Sequence, residues 1–104
     1  MESKFELKSS LDGDSLALWG IGEFDLAARQ LVLDVAAPAL AQGQTVVLDL
    51  KKVTFIDASA LGAIAVCANV AACSGARFTI RQVWGEVADV LQMTGFAHLV
   101  DEEA

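Results

Sequence analysis

The chain has 104 residues, enough for one hydrophobic core and too few for separate catalytic and substrate domains. Hydrophobic residues make up 55% and charged residues 20%, a globular balance that excludes disorder as the main state. Asp and Glu total 14 against 7 Lys and Arg, for a net charge of −7. That charge argues against a nucleic-acid phosphate backbone or an anionic membrane surface as the partner.

Lys4 to Lys8 alternates apolar and polar residues, as a half-buried edge strand does. Asp12-Gly13 is a turn signal, and Ser15 to Ile21 follows as a second strand, so the two read as an antiparallel hairpin. Gly20 and Gly22 break that strand. Asp25 is placed to cap a helix that starts at Leu26 and offers Leu26, Leu33, Ala36, Ala37 and Leu40 to the core. Pro38 is expected to kink or split this helix, and Gly43 to end it.

Thr45 to Leu50 is a nearly continuous β-branched and apolar run, the pattern of a central strand. Phe55-Ile56 leads into Asp57, after which helical spacing returns at Leu61, Ile64, Ala65, Ala68 and Ala72 until Gly75. The apolar stretch Leu61 to Cys73 falls short of the about 20 residues that a membrane span needs, so it reads as a buried helix. Cys67 and Cys73 lie in it six residues apart, a rotation of roughly 600° that puts them on different faces and rules against a disulfide between them. Ala76 to Val83 is the next strand. Val87, Val90, Leu91 and Thr94 mark a third helix closed by Gly95, and Phe96 to Val100 forms a last short edge strand. The third-helix region carries Val83, Trp84, Val87, Val90, Leu91, Met93 and Phe96, more apolar side chains than one core-facing stripe can hold.

The fold class is therefore α/β: one domain over residues 1–104, with a mixed sheet of four to five strands. An antiparallel N-terminal hairpin precedes parallel strands joined by packed helices. With no disulfide framework, and a polar start from Met1 to Ser10 unlike a secretory signal, the expected compartment is the cytoplasm.

The sequence holds no dinucleotide-binding glycine pattern, phosphate-binding loop, nucleophile elbow or cluster of metal ligands, so no catalytic residue, metal, cofactor or small-molecule substrate is assigned. His98, the lone histidine, has no carboxylate on a shared helical face. Asp49 as the aspartyl site of a phosphate-receiver domain lacks both acidic residues after the first strand, to hold Mg²⁺, and a lysine at the end of a late strand. What remains is Phe55 to Gly62, a strand end that feeds a helix. With Asp57 as N-cap, Ala58, Ser59 and Ala60 occupy the first helical turn, where free backbone N–H groups and the positive end of the dipole converge. A hydroxyl there is a phosphoacceptor candidate, although first-turn serines also serve as caps.

Val46 to Gly62 (Val-Val-Leu-Asp-Leu-Lys-Lys-Val-Thr-Phe-Ile-Asp-Ala-Ser-Ala-Leu-Gly) resembles the signature of the STAS domain, the family of bacterial anti-sigma-factor antagonists that is also appended to sulfate transporters. Gly22 to Asp25 is similar to the family's turn before the first helix. Gly75 to Phe78 and Val87 to Phe96 are similar to its later strand and third helix. The resemblance implies a STAS-like domain without catalysis of its own. It also implies a partner: an anti-sigma factor that is a serine kinase, bound by the unphosphorylated domain so that a sigma factor is released, and lost on phosphorylation.

The family's acceptor directly follows the motif aspartate, and here that position is Ala58. The hydroxyl comes one residue later, at Ser59, and Ala60 replaces the usual glycine. Three readings stand: Ser59 is the acceptor; the domain is an antagonist that is not phosphorylated; or it is a STAS subunit of a cytoplasmic transporter complex of the lipid-transport ABC type, or of a signalling scaffold. The expected partner surface comprises Glu23, Asp25, Asp57, Ala58, Ser59, Ala60, Leu61 and Gly62, with the exposed side of the third helix. Trp84 is either an apolar anchor for the partner or a piece of the domain's own core.

Overall fold

The computed structural model describes residues 5–101. Strand β1 (Phe5–Asp12) pairs antiparallel with β2 (Ser15–Phe24) from Phe5↔Gly22 to Asp12↔Ser15, leaving Gly13 and Asp14 as a two-residue loop. Only the first loop position has a positive φ, +61° at Gly13, the pattern of a type II′ hairpin turn. The expected start at Lys4 lies outside the described residues.

Helix α1 (Leu26–Ala41) leads to β3 (Thr45–Ile56), helix α2 (Ala58–Ser74) to β4 (Phe78–Arg81), and helix α3 (Gly85–Met93) to a single 3₁₀ turn at Ala97–Leu99. The strand order is β1-β2-β3-β4, with β2/β3 and β3/β4 parallel, so α1 and α2 each carry the chain back along the sheet. This is the mixed α/β architecture expected from the sequence, at four strands.

Several local expectations are corrected. Pro38 does not split α1: it sits in the last turn of one continuous helix, where its missing N–H removes a single helical bond. The helix closes three residues later, with Gly43 N–H donating to Leu40 O at 3.0 Å and Gln44 N–H to Ala39 O at 3.0 Å, and φ +82° at Gly43. Strand β3 does not stop at Leu50 but runs through Lys51 and Lys52 to Ile56, absorbing two register shifts against β2. Strand β4 is only four residues long, ended by Gln82 at φ +61°. Phe96 to Val100 is no strand. The 3₁₀ turn takes up its centre, and Val100 alone bridges to Ile80.

The core faces of the helices match expectation only in part. In α1 the buried side chains are Ala28, Val32, Ala36, Ala39 and Leu40, while Leu26 is 68% exposed. In α2 they are Ala60, Ala63, Ile64, Cys67 and Ala71: Ile64 is buried as expected, whereas Leu61, Ala65 and Ala68 are half-buried and Ala72 is exposed. Three buried alanines in each helix let α1 and α2 pack closely against each other.

On the sheet, Leu18, Val46, Leu48, Leu50, Phe78 and Ile80 are buried under the helices. The alternate residues, including Ala17, Trp19, Val47 and Thr79, are all at least partly exposed, so among the described residues no helix covers that second face. No helix of the described residues is long and apolar enough to cross a membrane.

Both cysteines of α2 are free; Cys67 is buried and Cys73 exposed. Burial pushes the Cys67 thiol up from 9.0 to about 11, because desolvation disfavours the thiolate. Native protein treated with iodoacetamide at pH 8 is expected to take one adduct, at Cys73, and a second only after denaturation. Peptide mapping checks it. Because Cys67 keeps its proton in the folded state to higher pH than in the unfolded state, stability should fall as pH rises from about 9 toward 11.

Candidate functional site: the paired helix tips

Strands β2 and β3 end side by side, Phe24 opposite Ile56, and each passes directly into an aspartate that caps a helix. Asp25 Oδ1 accepts from the Ala27 and Ala28 N–H groups at 3.1 and 3.3 Å. Asp57 Oδ1 accepts from the Ala60 N–H at 3.0 Å. The two turns are tied together: the Asp57 N–H donates to Phe24 O at 3.3 Å and the Thr54 hydroxyl to Gly22 O at 3.4 Å. Gly22 itself holds φ +108°, a conformation side chains rarely adopt, so the bend into α1 depends on glycine. Two parallel helices thus present their N-termini at one end of the sheet.

At the α2 tip Ala58 is exposed and Ser59 half-buried. The Asp57 side chain does the capping, and the Ser59 hydroxyl makes no hydrogen bond among the described residues. The backbone N–H groups of Ala58 and Ser59 are likewise without partners there, as the first amides of a helix are. Leu61 and Gly62 are half-buried, but Ala60 is fully buried and turned toward the core, which removes it from any surface a partner touches. Glu23 and Asp25, both half-buried, border the tip on the β2 side.

Three residues beside the tips were not singled out from sequence for this role. Leu26 is 68% exposed at the first position of α1, and Phe55, opposite Glu23, is 43% exposed. They give the pole an apolar component between its carboxylates. The third is Arg29, whose Cζ lies 4.0 Å from where a β-carbon on Gly62 would stand. An arginine one turn beyond the Asp25 cap was visible in the sequence, but not its reach across to α2.

Gly62 is a helical glycine with room for a methyl group at ordinary contact distance. Gly62→Ala should therefore stabilise the fold by about 0.5–1 kcal/mol, through reduced freedom of the unfolded chain. A thermal melt showing a lower Tm would contradict this.

Elsewhere, Asp49 is fully engaged: its Oδ1 accepts the Lys51 N–H at 2.9 Å and its Oδ2 the Arg81 Nε–H at 3.0 Å. His98 is exposed, its Nδ1 3.0 Å from Gly95 O. Trp84 lies neither in the core nor at the tips. It is 55% exposed and its Nε1–H donates to Lys51 O at 2.6 Å, satisfying the edge of β3 just beyond the end of β4. Lys51 is five residues before the end of β3, roughly 15 Å of strand from the α2 tip.

A family model described as "Mlab, STAS domain" matches residues 7–101. A STAS-domain containing protein of Pseudomonas aeruginosa is 29% identical over 90 residues, covering 86% of this chain and 89% of the relative. The fold is similar to the anti-sigma factor antagonist SpoIIAA in its unphosphorylated form, with TM-score 0.79 and 19% identity over 93% of this chain and 85% of that one. The phosphorylated form of the Bacillus protein gives TM-score 0.74, with 18% identity over 93% and 88% of the two chains. A putative anti-sigma factor antagonist from Thermotoga maritima gives TM-score 0.79, with 21% identity over 92% and 86%.

Proposed function

The chain belongs to the STAS domain family, and from that premise we propose that it is an anti-sigma factor antagonist, a binding protein without turnover of its own. Through the paired helix tips it docks onto a kinase-type anti-sigma factor and releases the sigma factor held there. The observation that carries this reading is the α2 tip: capped rigidly by Asp57, exposed at Ala58, and holding a Ser59 hydroxyl with no internal hydrogen bond. Around it Glu23, Asp25, Leu26, Phe55 and Leu61 supply the mixture of charge and apolar surface that specific interfaces use.

Ser59 is the switch. Phosphate on it adds about two negative charges beside the free amides of the first turn, which tolerate them within the domain. Arg29, across from Gly62, offers a further counter-charge. Against a partner surface shaped for a neutral tip, the same charge ends the complex. The test is incubation with ATP and the cognate kinase, followed by intact-mass analysis and gel filtration. One added phosphate, absent from Ser59→Ala, with loss of co-elution, supports the switch; co-elution untouched by phosphorylation overturns it.

A second reading, a lasting subunit of a transporter complex of the lipid-transport ABC type or of a signalling scaffold, is favoured by Ala58 at the family's acceptor position. Met93, 84% exposed, and Val66, 36% exposed, add apolar surface that a permanent partner would cover. It predicts that protein purified from its native cytoplasm co-elutes with a partner at fixed ratio, with or without phosphatase treatment.

A further inference from the structure

The uncovered face of the sheet carries chemistry that the helix tips do not use. Strand register places Lys8, Trp19, Asp49 and Arg81 in one row across all four strands. At the β3 end of that row, Trp19, Asp49, Lys51, Lys52 and Arg81 line an open cleft of about 240 Å³ over Gly20. Its lining has three cations against one carboxylate, in a chain whose net charge is −7. That carboxylate is already spent on Arg81 and the Lys51 N–H, whereas Lys8, Lys51 and Lys52 are exposed and form no ion pair among the described residues. The floor is apolar: Trp19 is half-exposed, and Ala17 and Val47 continue the surface in the next row.

We propose that this face is a second docking surface and that its occupant is an extended acidic segment of a protein partner. Its carboxylates would meet Lys8, Lys51 and Lys52, and an apolar side chain would lie on Trp19. The arrangement disfavours a compact phosphate. Asp49 occupies the middle of the lining, and Arg81, the side chain suited to a bidentate phosphate grip, is held by it. Carboxylates spaced along a peptide reach the lysines separately and leave Asp49 uncrowded. The proposal does not depend on the antagonist reading, since it uses a different face.

The probe is a blocked heptapeptide of glutamates around two leucines, titrated calorimetrically into the full chain, with a glutamine version as control. Binding should be at least tenfold tighter for the glutamate peptide, fall tenfold or more between 50 and 500 mM salt, and fall equally in Lys51→Glu/Lys52→Glu, a surface variant whose folding circular dichroism verifies. Amide and indole NMR shifts should move at Ala17, Trp19 and Val47. Equal affinity for both peptides, an unaffected charge-reversal variant, shifts confined to Asp57–Gly62, or displacement by millimolar inorganic phosphate would each overturn the proposal. Retained binding of the anti-sigma partner by the charge-reversal variant would separate its failure from that of the helix-tip reading.

Discussion

Phe24→Ala should cost about 3–5 kcal/mol, the range for removing a fully buried phenylalanine. The ring has no exposed surface and stacks on Phe5 with centroids 5.4 Å apart, while the residue's carbonyl accepts the Asp57 N–H. It ends β2 immediately before the Asp25 cap, so the cavity opens beneath both helix tips at once. Against a total stability of roughly 5–15 kcal/mol, the loss is at least about a fifth of what holds a domain of this size folded. At about 4–8 °C per kcal/mol the Tm should fall by roughly 12–40 °C. Phe24→Leu, which keeps most of the volume, should cost less than about 1.5 kcal/mol. Urea unfolding of both variants is the measurement. A Phe24→Ala loss below about 1 kcal/mol would mean that the tips are held by their caps rather than by this ring.

How much of this was legible beforehand depends on contrast along the chain. Asp25, Asp57, Gly43, Gly75 and Gly95 were readable as helix boundaries because each solves a backbone problem that few residue types solve, and each stands where expected. The helix faces were readable only in part: Ala36, Leu40, Ile64, Val87 and Leu91 are buried as expected, but the rest of each stripe was not legible. In α1 and α2 apolar residues occur nearly all round, so small alanines and large leucines compete for the same stripe, and only tertiary packing decides that the alanines go inside. Lys51 and Lys52 hid the second half of β3, because a strand exposed on one edge tolerates lysines that a run of apolar residues would not suggest. Phe96 to Val100 has the apolar pattern of an edge strand without being one. Its apolar residues fold back as a 3₁₀ turn, and only Val100 and the Asp101 N–H reach Ile80.

The same distinction holds at the candidate site. The aspartates, Ala58 and Ser59 were identifiable from order and spacing. The exposure of Leu26 and Phe55 became visible only in the fold, and Arg29 joined through the packing of α1 against α2, which brings it within reach of Gly62. Ala60 left the set for an equally local reason: three residues after its cap it is fully buried, as Ala28 is three residues after Asp25.

Ala58→Glu is expected to weaken binding of a kinase-type anti-sigma factor by at least tenfold while leaving Tm within about 2 °C. The fold tolerates the change because Ala58 is exposed at the first helical position, where the dipole favours a carboxylate by about 0.3–1 kcal/mol, offsetting its nearness to Asp57. The complex does not tolerate it. A tenfold loss requires only about 1.4 kcal/mol, and an uncompensated charge placed in a docked interface costs several. Calorimetric titration with the partner measures the first quantity and a thermal melt the second. Ala58→Ser supplies the contrast: it adds a hydroxyl without charge, should bind like the parent, and offers the kinase an acceptor at the position where the family carries one. If Ala58→Glu bound undiminished, the partner would have to engage some other part of the molecule. The capped tip of α2 would then be a structural device alone.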